Sequence, residues 1–369
     1  MLKRLTISNF KNFEKETVFD LSAGNYEFNP NIVENKVIKN AMIYGENGTG
    51  KSNLGRAIMD ITTHLTDYNV REGDYDNYIN LNSEDDCAHF KYEFQFGEHS
   101  VTYQYDKLSY RDVLNEILFI DDKVVVEASN HVEERKVYLK GANFLNLDYD
   151  EANISFVKYV LRNTILDKKD ESVQIFEKFE KFVNSMLSFH SLEGNSYQGF
   201  QAGTDSLSEV IIENGTVEKF EEFLNSAGIN YALKIKEIDG KKEIYVRFKN
   251  GKEANIFSIA SKGTNVLILF YCWLLSFSEV SLVVMDEFDS YYHNNLTKFV
   301  IERVIETNVQ SIFTTHNTSA MSNEILRPDA YYIIENDTIK TISDSTNKEL
   351  RKAHNIEKLY RAGAFNDQK

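Results

Sequence analysis

Cysteine is almost missing from this 369-residue chain, which carries only Cys87 and Cys272. Two cysteines so far apart fit no metal-ligand spacing and leave no disulfide framework, so a reducing compartment is expected. Long hydrophobic runs are missing as well. The longest, Val266 to Phe277, has the reach of a buried helix and falls short of a membrane span. The opening Met1-Leu2-Lys3-Arg4-Leu5-Thr6-Ile7 is too short and too polar for a secretion signal, so a cytoplasmic protein with no membrane partner is expected. Basic charge is in deficit. With 41 Lys and Arg against 57 Asp and Glu, the formal net charge is −16. This argues against coating nucleic acid through bulk electrostatics, although it leaves room for a local basic groove. Neither an internal repeat nor a heptad run long enough for a coiled coil is present.

What is plentiful is aromatic: 21 Tyr and 25 Phe in a chain that is 42% hydrophobic, so a well-filled core is expected. The length allows one large α/β domain with an insertion, or two domains. The stretch everything else is arranged around is Gly45-Glu46-Asn47-Gly48-Thr49-Gly50-Lys51-Ser52, which fits the P-loop pattern G-x-x-x-x-G-K-[ST]. The apolar run Ala41-Met42-Ile43-Tyr44 before it reads as a buried strand. Leu54, Ala57, Ile58, Ile61 and Leu65 after it recur at helical spacing. In that setting glycines let backbone N–H groups curl round phosphate oxygens at a helix N-terminus. Lys51 is then expected to reach the β- and γ-phosphates of ATP, and the Ser52 hydroxyl to ligate Mg²⁺.

The rest of the chain is read from its periodicity. Leu2 to Phe10 reads as an opening strand, and Asp67 to Asp86 as an exposed acidic connection. Phe90, Tyr92, Phe94 and Phe96 alternate with polar residues, Gly97-Glu98 offers a turn, and Val101, Tyr103 and Tyr105 alternate beyond it; this predicts a hairpin. A second pair is expected across Ile117–Ile120 and Val124–Val126 around Asp121-Asp122. From 150 to 230 the spacing turns helical, with Phe156, Tyr159 and Val160, then Ile175, Phe179, Phe182, Val183 and Met186, around a Gly/Ser/Gln-rich centre at Gly194 to Gly203. This reads as a helical insertion whose charged faces are either solvated or bind a partner. Asp239-Gly240 and Asn250-Gly251 then predict a three-stranded meander.

Leu282-Val283-Val284-Met285-Asp286-Glu287 is an apolar strand ending in two carboxylates. After a P-loop it suits a Walker B element, with Asp286 on Mg²⁺ and Glu287 orienting or deprotonating the attacking water. Ser311 to His316 is a further strand, delivering a histidine to the same edge of a parallel sheet, where it is placed to sense the γ-phosphate. Ser261-Lys262-Gly263-Thr264 opens the apolar segment from Val266. As a turn and helix N-cap it needs no function, yet Ser and Gly at a helix start also make an anion site.

Five motifs therefore occur in order: Ile7-Ser8-Asn9-Phe10-Lys11-Asn12-Phe13, Gly45 to Ser52, Ser261-x-Gly263-Thr264, Val284-Met285-Asp286-Glu287 and Phe313-Thr314-Thr315-His316-Asn317. This arrangement resembles the ABC-type ATPase heads of the SMC/RecF group. It looks closest to compact ATPases of bacterial anti-phage systems such as PARIS, Septu and overcoming-lysogenization-defect-like systems. The resemblance implies an α/β P-loop NTPase with an ABC-type head (a mixed sheet with a flanking antiparallel β region) and a helical insertion. The implied division is an N-terminal lobe at 1–149, the insertion at 150–230, a C-terminal lobe at 231–345 and a polar tail at 346–369, with a helix over Asn347–Tyr360.

The resemblance also implies roles. Lys11 contacts nucleotide together with Gly45, Glu46, Asn47, Gly48, Thr49, Gly50, Lys51, Ser52 and Asn53. Ser261, Gly263 and Thr264 are the signature that completes the site of a second copy. Ser52 and Asp286 hold Mg²⁺; Glu287, His316 and Lys51 serve ATP hydrolysis, and Asp289 starts the loop that crosses the dimer interface. The signature departs from the Leu-Ser-Gly-Gly-Gln of transporters, which argues against transport. The Q-loop glutamine is either Gln95 or Gln104. The implied function is an ATPase sensor or scaffold, working as a nucleotide-sandwich dimer or higher even-numbered oligomer. It would control a separately encoded effector, a nuclease, with DNA or a phage protein as trigger. The alternatives are a RecF-like repair ATPase and a nucleotide-binding structural module with little turnover.

Overall fold

The computed structural model describes residues 1–129, 134–147, 154–190, 196–200, 206–335 and 337–365. The chain forms two compact units. The first comprises Met1–Phe200, Val280–Phe288 and Val309–Lys369, and the second Gln201–Glu279 and Asp289–Asn308.

Two seven-stranded sheets build the first unit. One is antiparallel, and its centre is the aromatic hairpin expected from the alternation: Ala88–Phe96 pairs with His99–Lys107 around Gly97. Rings two residues apart on the first strand lie on one face and stack, Tyr92 on Phe94 at 6.1 Å and Phe94 on Phe96 at 6.0 Å between centroids. The second expected pair is present as Val113–Ile120 with Lys123–Ser129. Both turn residues, Asp121 and Asp122, have positive φ, as a two-residue turn that matches strand twist requires.

The other sheet is mixed. Its parallel core runs Met186–His190, Leu282–Asp286, Gln310–Thr315, Asn40–Tyr44 and Tyr331–Glu335, with antiparallel edges at Ser196–Gly199 and Thr338–Thr341. Every residue of the three inner strands is buried, which is why none of them shows the alternation of a half-exposed strand.

The P-loop helix, Lys51–Leu65, packs on this sheet, and a Cβ on Gly55 would stand 3.2 Å from a Val284 methyl, so glycine permits the close approach. Its other side meets the antiparallel sheet through buried polar groups. Asp60 accepts hydrogen bonds from the hydroxyls of Tyr78 and Tyr105 and from the Lys107 ammonium, at 2.9, 2.8 and 2.7 Å. Lys107 and Asp60 are both fully buried. His64 bonds the Tyr103 hydroxyl at 2.9 Å, and that hydroxyl donates to Glu116 at 2.8 Å. The helix is thus fastened on two sides.

Several expectations are corrected. The segment 150–230 holds helices Phe156–Asn163, Glu171–Asn184, Leu207–Glu213 and Val217–Ser226, but Met186–His190 is a strand of the parallel core. Pairing with Leu282–Asp286 and burial of all five residues override the helical spacing that had included Met186. Of the Gly/Ser/Gln-rich centre, residues 194–195 and 201–203 lie outside the described residues. The stretch 67–86 is not simply exposed, since Tyr75 and Tyr78 are buried and Tyr78 meets Phe10 edge-on at 5.1 Å. Among the described residues of the tail, only Ile356–Arg361 is helical.

The second unit contains the expected meander, Leu233–Ile238, Lys241–Arg247 and Glu253–Asn255. The apolar segment forms the helix Lys262–Ser276, which buries Leu267, Ile268, Phe270, Tyr271 and Trp273. No helix among the described residues is long and apolar enough to cross a membrane.

Candidate functional site

The P-loop turn works because two of its residues have positive φ, Gly48 at 83° and Gly50 at 102°. Gly50 is also sterically constrained: a Cβ there would lie 2.5 Å from Asn12 Nδ2. Gly45 is hemmed in by Thr49 and Ile334, so neither glycine tolerates a side chain. The helix that follows has glycine at its N-cap and no side chain capping its first turn. Its leading N–H groups are therefore presented to an acceptor from outside, and Glu46, Asn47 and Gly48 are exposed around them. This cradle fits a phosphate chain.

Lys51 is buried. Its Nζ donates to the carbonyls of Gly45 and Glu46 at 2.9 and 3.1 Å and stands 3.3 Å from a Glu287 carboxylate oxygen. Asp286 is set beside Ser52 by the neighbouring strands. Burial pushes its carboxyl upward, but the nearby His190 ring and hydrogen bonds from Thr314 and Ser52 outweigh that and hold it below the ordinary carboxylate value. A carboxylate kept ionised next to a serine hydroxyl suits a hard divalent cation such as Mg²⁺.

Glu287 follows with a positive φ of 47°, a strained conformation for a residue with a side chain. Its backbone N–H donates to Thr314 Oγ1 at 2.9 Å, while the same hydroxyl donates to Asp286 Oδ1 at 2.6 Å. The Glu287 carboxylate meets His316 Nδ1 at 2.9 Å. Lys51, Ser52, Asp286, Glu287 and His316 are thereby brought together at the C-terminal edge of the parallel sheet.

The remaining expected residues are placed differently. Lys11 Nζ donates to the carbonyl of Asp76 at 2.9 Å. Burial, with Arg56 nearby, pushes its ammonium down to about 8. Asn53 donates to Asn12 Oδ1 at 2.7 Å, so its side chain is turned to the opening loop. Ser261, Gly263 and Thr264 lie in the second unit. Ser261 caps the helix there, accepting from Thr264 N at 3.1 Å. The three residues line a cavity of about 490 Å³ with Gly228, Tyr291 and His293. Asp289 is the first residue of that unit after the acidic strand. Gln95 and Gln104 both sit on the antiparallel sheet, in the hairpin, and not on the sheet that carries the P-loop.

Three site residues escaped the sequence reading. Asn12 packs on Gly50, Thr314 ties both carboxylate positions, and His190 lies on the strand paired with the acidic one, in register with Asp286. Thr314 lay inside a motif already noticed. His190 gave no signal, because its strand is buried on both faces and follows a helix without a break.

Residues 41–322 match a family model described as "AAA domain, putative AbiEii toxin, Type IV TA system". The chain belongs to this AAA domain family. A comparison with curated proteins returns no match. Among solved structures, this AAA domain protein is similar to an SMC head domain from Thermotoga maritima, at 15% identity and a TM-score of 0.46, covering 92% of this chain and 98% of that one. It is also similar to an SMC head bound to the C-terminal domain of ScpA derived from Pyrococcus furiosus, at 14% identity and a TM-score of 0.43, over 93% of this chain and 97% of that one.

Proposed function

We propose that this AAA domain protein binds ATP with Mg²⁺, hydrolyses it to ADP and phosphate, and uses the turnover as a switch. The observation that supports this reading is the convergence of Lys51, Ser52, Asp286, Glu287 and His316 within hydrogen-bonding range on one sheet edge. The uncapped N–H groups after Gly50 hold phosphate oxygens. Lys51 exchanges its carbonyl partners and Glu287 for phosphate. Ser52 and Asp286 hold Mg²⁺, which when bound neutralises phosphate charge. Freed from Lys51, Glu287 orients the attacking water and takes its proton, and His316 steadies the carboxylate from the solvent side.

The output we infer is control of a separately encoded effector, a nuclease, in anti-phage defence. The toxin and TA system named in the family description support a role beside a partner protein. In this reading ATP is shared between Gly45–Ser52 of one copy and Ser261–Thr264 of a second, and closure arms the effector.

The test is the native mass, by light scattering, and the phosphate release of wild type and Glu287→Gln with and without ATP–Mg²⁺. The variant is expected to hold ATP in an even-numbered assembly and to release phosphate at least about 100-fold more slowly, the size of one general-base contribution. Mass, nucleotide content and turnover equal to wild type throughout would refute the shared site. Turnover that rises with DNA and falls steeply with salt would favour the RecF-like alternative.

A further inference from the structure

His190 sits where the cation of the nucleotide site is expected, beside Asp286. It ends the strand Met186–His190, which runs parallel to the acidic strand with His190 opposite Asp286. The residue is 3% exposed. Its Nε2 lies 3.3 Å from the Ser188 hydroxyl. Its Nδ1 is buried and makes no hydrogen bond of good geometry. That nitrogen faces Asp286 Oδ2 at 3.5 Å. The other carboxylate oxygen, Oδ1, is engaged by Thr314. The Ser52 hydroxyl completes the group by hydrogen-bonding the same carboxylate.

Two oxygens and an imidazole nitrogen therefore converge. When Nε2–H donates to Ser188, the Nδ1 lone pair is aimed at a carboxylate, an arrangement that only a proton or a cation between them stabilises. Adjacent ligands of an octahedral ion, bound at about 2.1 Å each, stand roughly 3 Å apart, so a small closure of the 3.5 Å gap suffices. Among the described residues no three His, Cys, Asp or Glu side chains form a ready-made metal cage. The set here is instead one carboxylate, one imidazole and one serine hydroxyl, which would need nucleotide to fill the remaining positions.

We propose that His190 is a direct ligand of the divalent cation at the Ser52–Asp286 position and biases that site from Mg²⁺ towards Mn²⁺. The inference rests on the nucleotide-binding reading above. Its chemical ground is that imidazole is a poor partner for Mg²⁺, which favours oxygen and keeps its water, whereas first-row transition ions accept nitrogen readily. The serine behind the ring fixes its tautomer and orientation, as outer partners of metal-bound histidines do.

The experiment is pulsed electron paramagnetic resonance of the full chain loaded with Mn²⁺ and ADP. The wild type should show nitrogen modulation from a bound imidazole, and uniform ¹⁵N-histidine labelling should change it to the ¹⁵N pattern. The signal should persist in His316→Gln and vanish in His190→Gln. The Mn²⁺-over-Mg²⁺ preference, measured by competition, should be lost in His190→Gln. If that variant does not fold, the labelled wild type and His316→Gln decide the matter. Nucleotide-dependent Mn²⁺ binding that is lost in Asp286→Asn but shows no histidine nitrogen would overturn the His190 assignment and leave the nucleotide reading intact. Absence of any nucleotide-dependent Mn²⁺ binding would overturn both.

Discussion

Replacing Lys107 by methionine probes how the P-loop helix is held. Its ammonium is fully buried and donates to Asp60 at 2.7 Å, Thr63 Oγ1 at 2.8 Å and the Tyr110 carbonyl at 3.0 Å. Burial pushes this ammonium below its ordinary value even with Asp60 beside it. Methionine keeps the length of the stem, so little cavity forms, and the loss is electrostatic. Asp60 would keep the hydroxyls of Tyr78 and Tyr105 but lose its counter-ion. Breaking one half of a buried pair costs about 3–5 kcal/mol. Lys107→Met should therefore lower unfolding stability by that amount, read from urea unfolding by circular dichroism at constant m-value. Adding Asp60→Asn removes the stranded charge; Tyr105 donates to Oδ1 and Tyr78 to Oδ2, so the amide oxygen keeps one tyrosine hydroxyl and the amide N–H donates to the other. The double variant should then recover about 2 kcal/mol, roughly the worth of one hydrogen bond to a charged group. A loss under about 1 kcal/mol for Lys107→Met, the scale of an exposed pair, would refute the reasoning, as would simple additivity.

Three further outcomes follow from the site and its support. Gly50→Ala forces a side chain into a φ of 102° and against Asn12, and should cut ATP affinity at least about tenfold in a fluorescent-nucleotide titration while the far-ultraviolet spectrum is kept. Thr314→Val preserves shape but removes the hydroxyl linking Asp286 to the Glu287 N–H, so single-turnover hydrolysis should slow more than ATP binding weakens. Burial first, and then Lys107 and Lys158, hold His64 well below its ordinary value of 6.5, so the unfolded chain takes up a proton that the folded one refuses. Stability supplied by this group is complete above about pH 6.5 and is lost as pH falls below it, at up to about 1.4 kcal/mol per pH unit. The difference between wild type and His64→Gln, followed by urea unfolding from pH 7.5 to 5.5, isolates that slope.

Much of this was legible in the chain because the deciding signals are local. The P-loop pattern, the Phe90–Phe96 alternation and the Asp-Asp and Asp-Gly turns each depend on neighbours in sequence, and each formed what its residues favour. The strand Met186–His190 was hidden for the opposite reason. Phe182, Val183 and Met186 continue a helical spacing across the end of the helix at Asn184, and a strand buried on both faces shows no alternation to contradict it. His190 was lost with it, since its proximity to Asp286 exists only through pairing with a strand almost a hundred residues later. Tyr75 and Tyr78 were likewise concealed by the acidic stretch around them.

The pairing of the P-loop strand also sets a timetable for biosynthesis. Asn40–Tyr44 has Gln310–Thr315 on one side and Tyr331–Glu335 on the other, both from late in the chain. At about 5–20 residues per second, roughly 13 to 53 s separate the emergence of the strand from that of its first partner. During that interval an apolar strand with two open edges must be shielded, and the phosphate cradle has no sheet to stand on. Competence to bind nucleotide would then wait for both partner strands, so that chains stalled or cut before them would lack the sheet beneath the cradle.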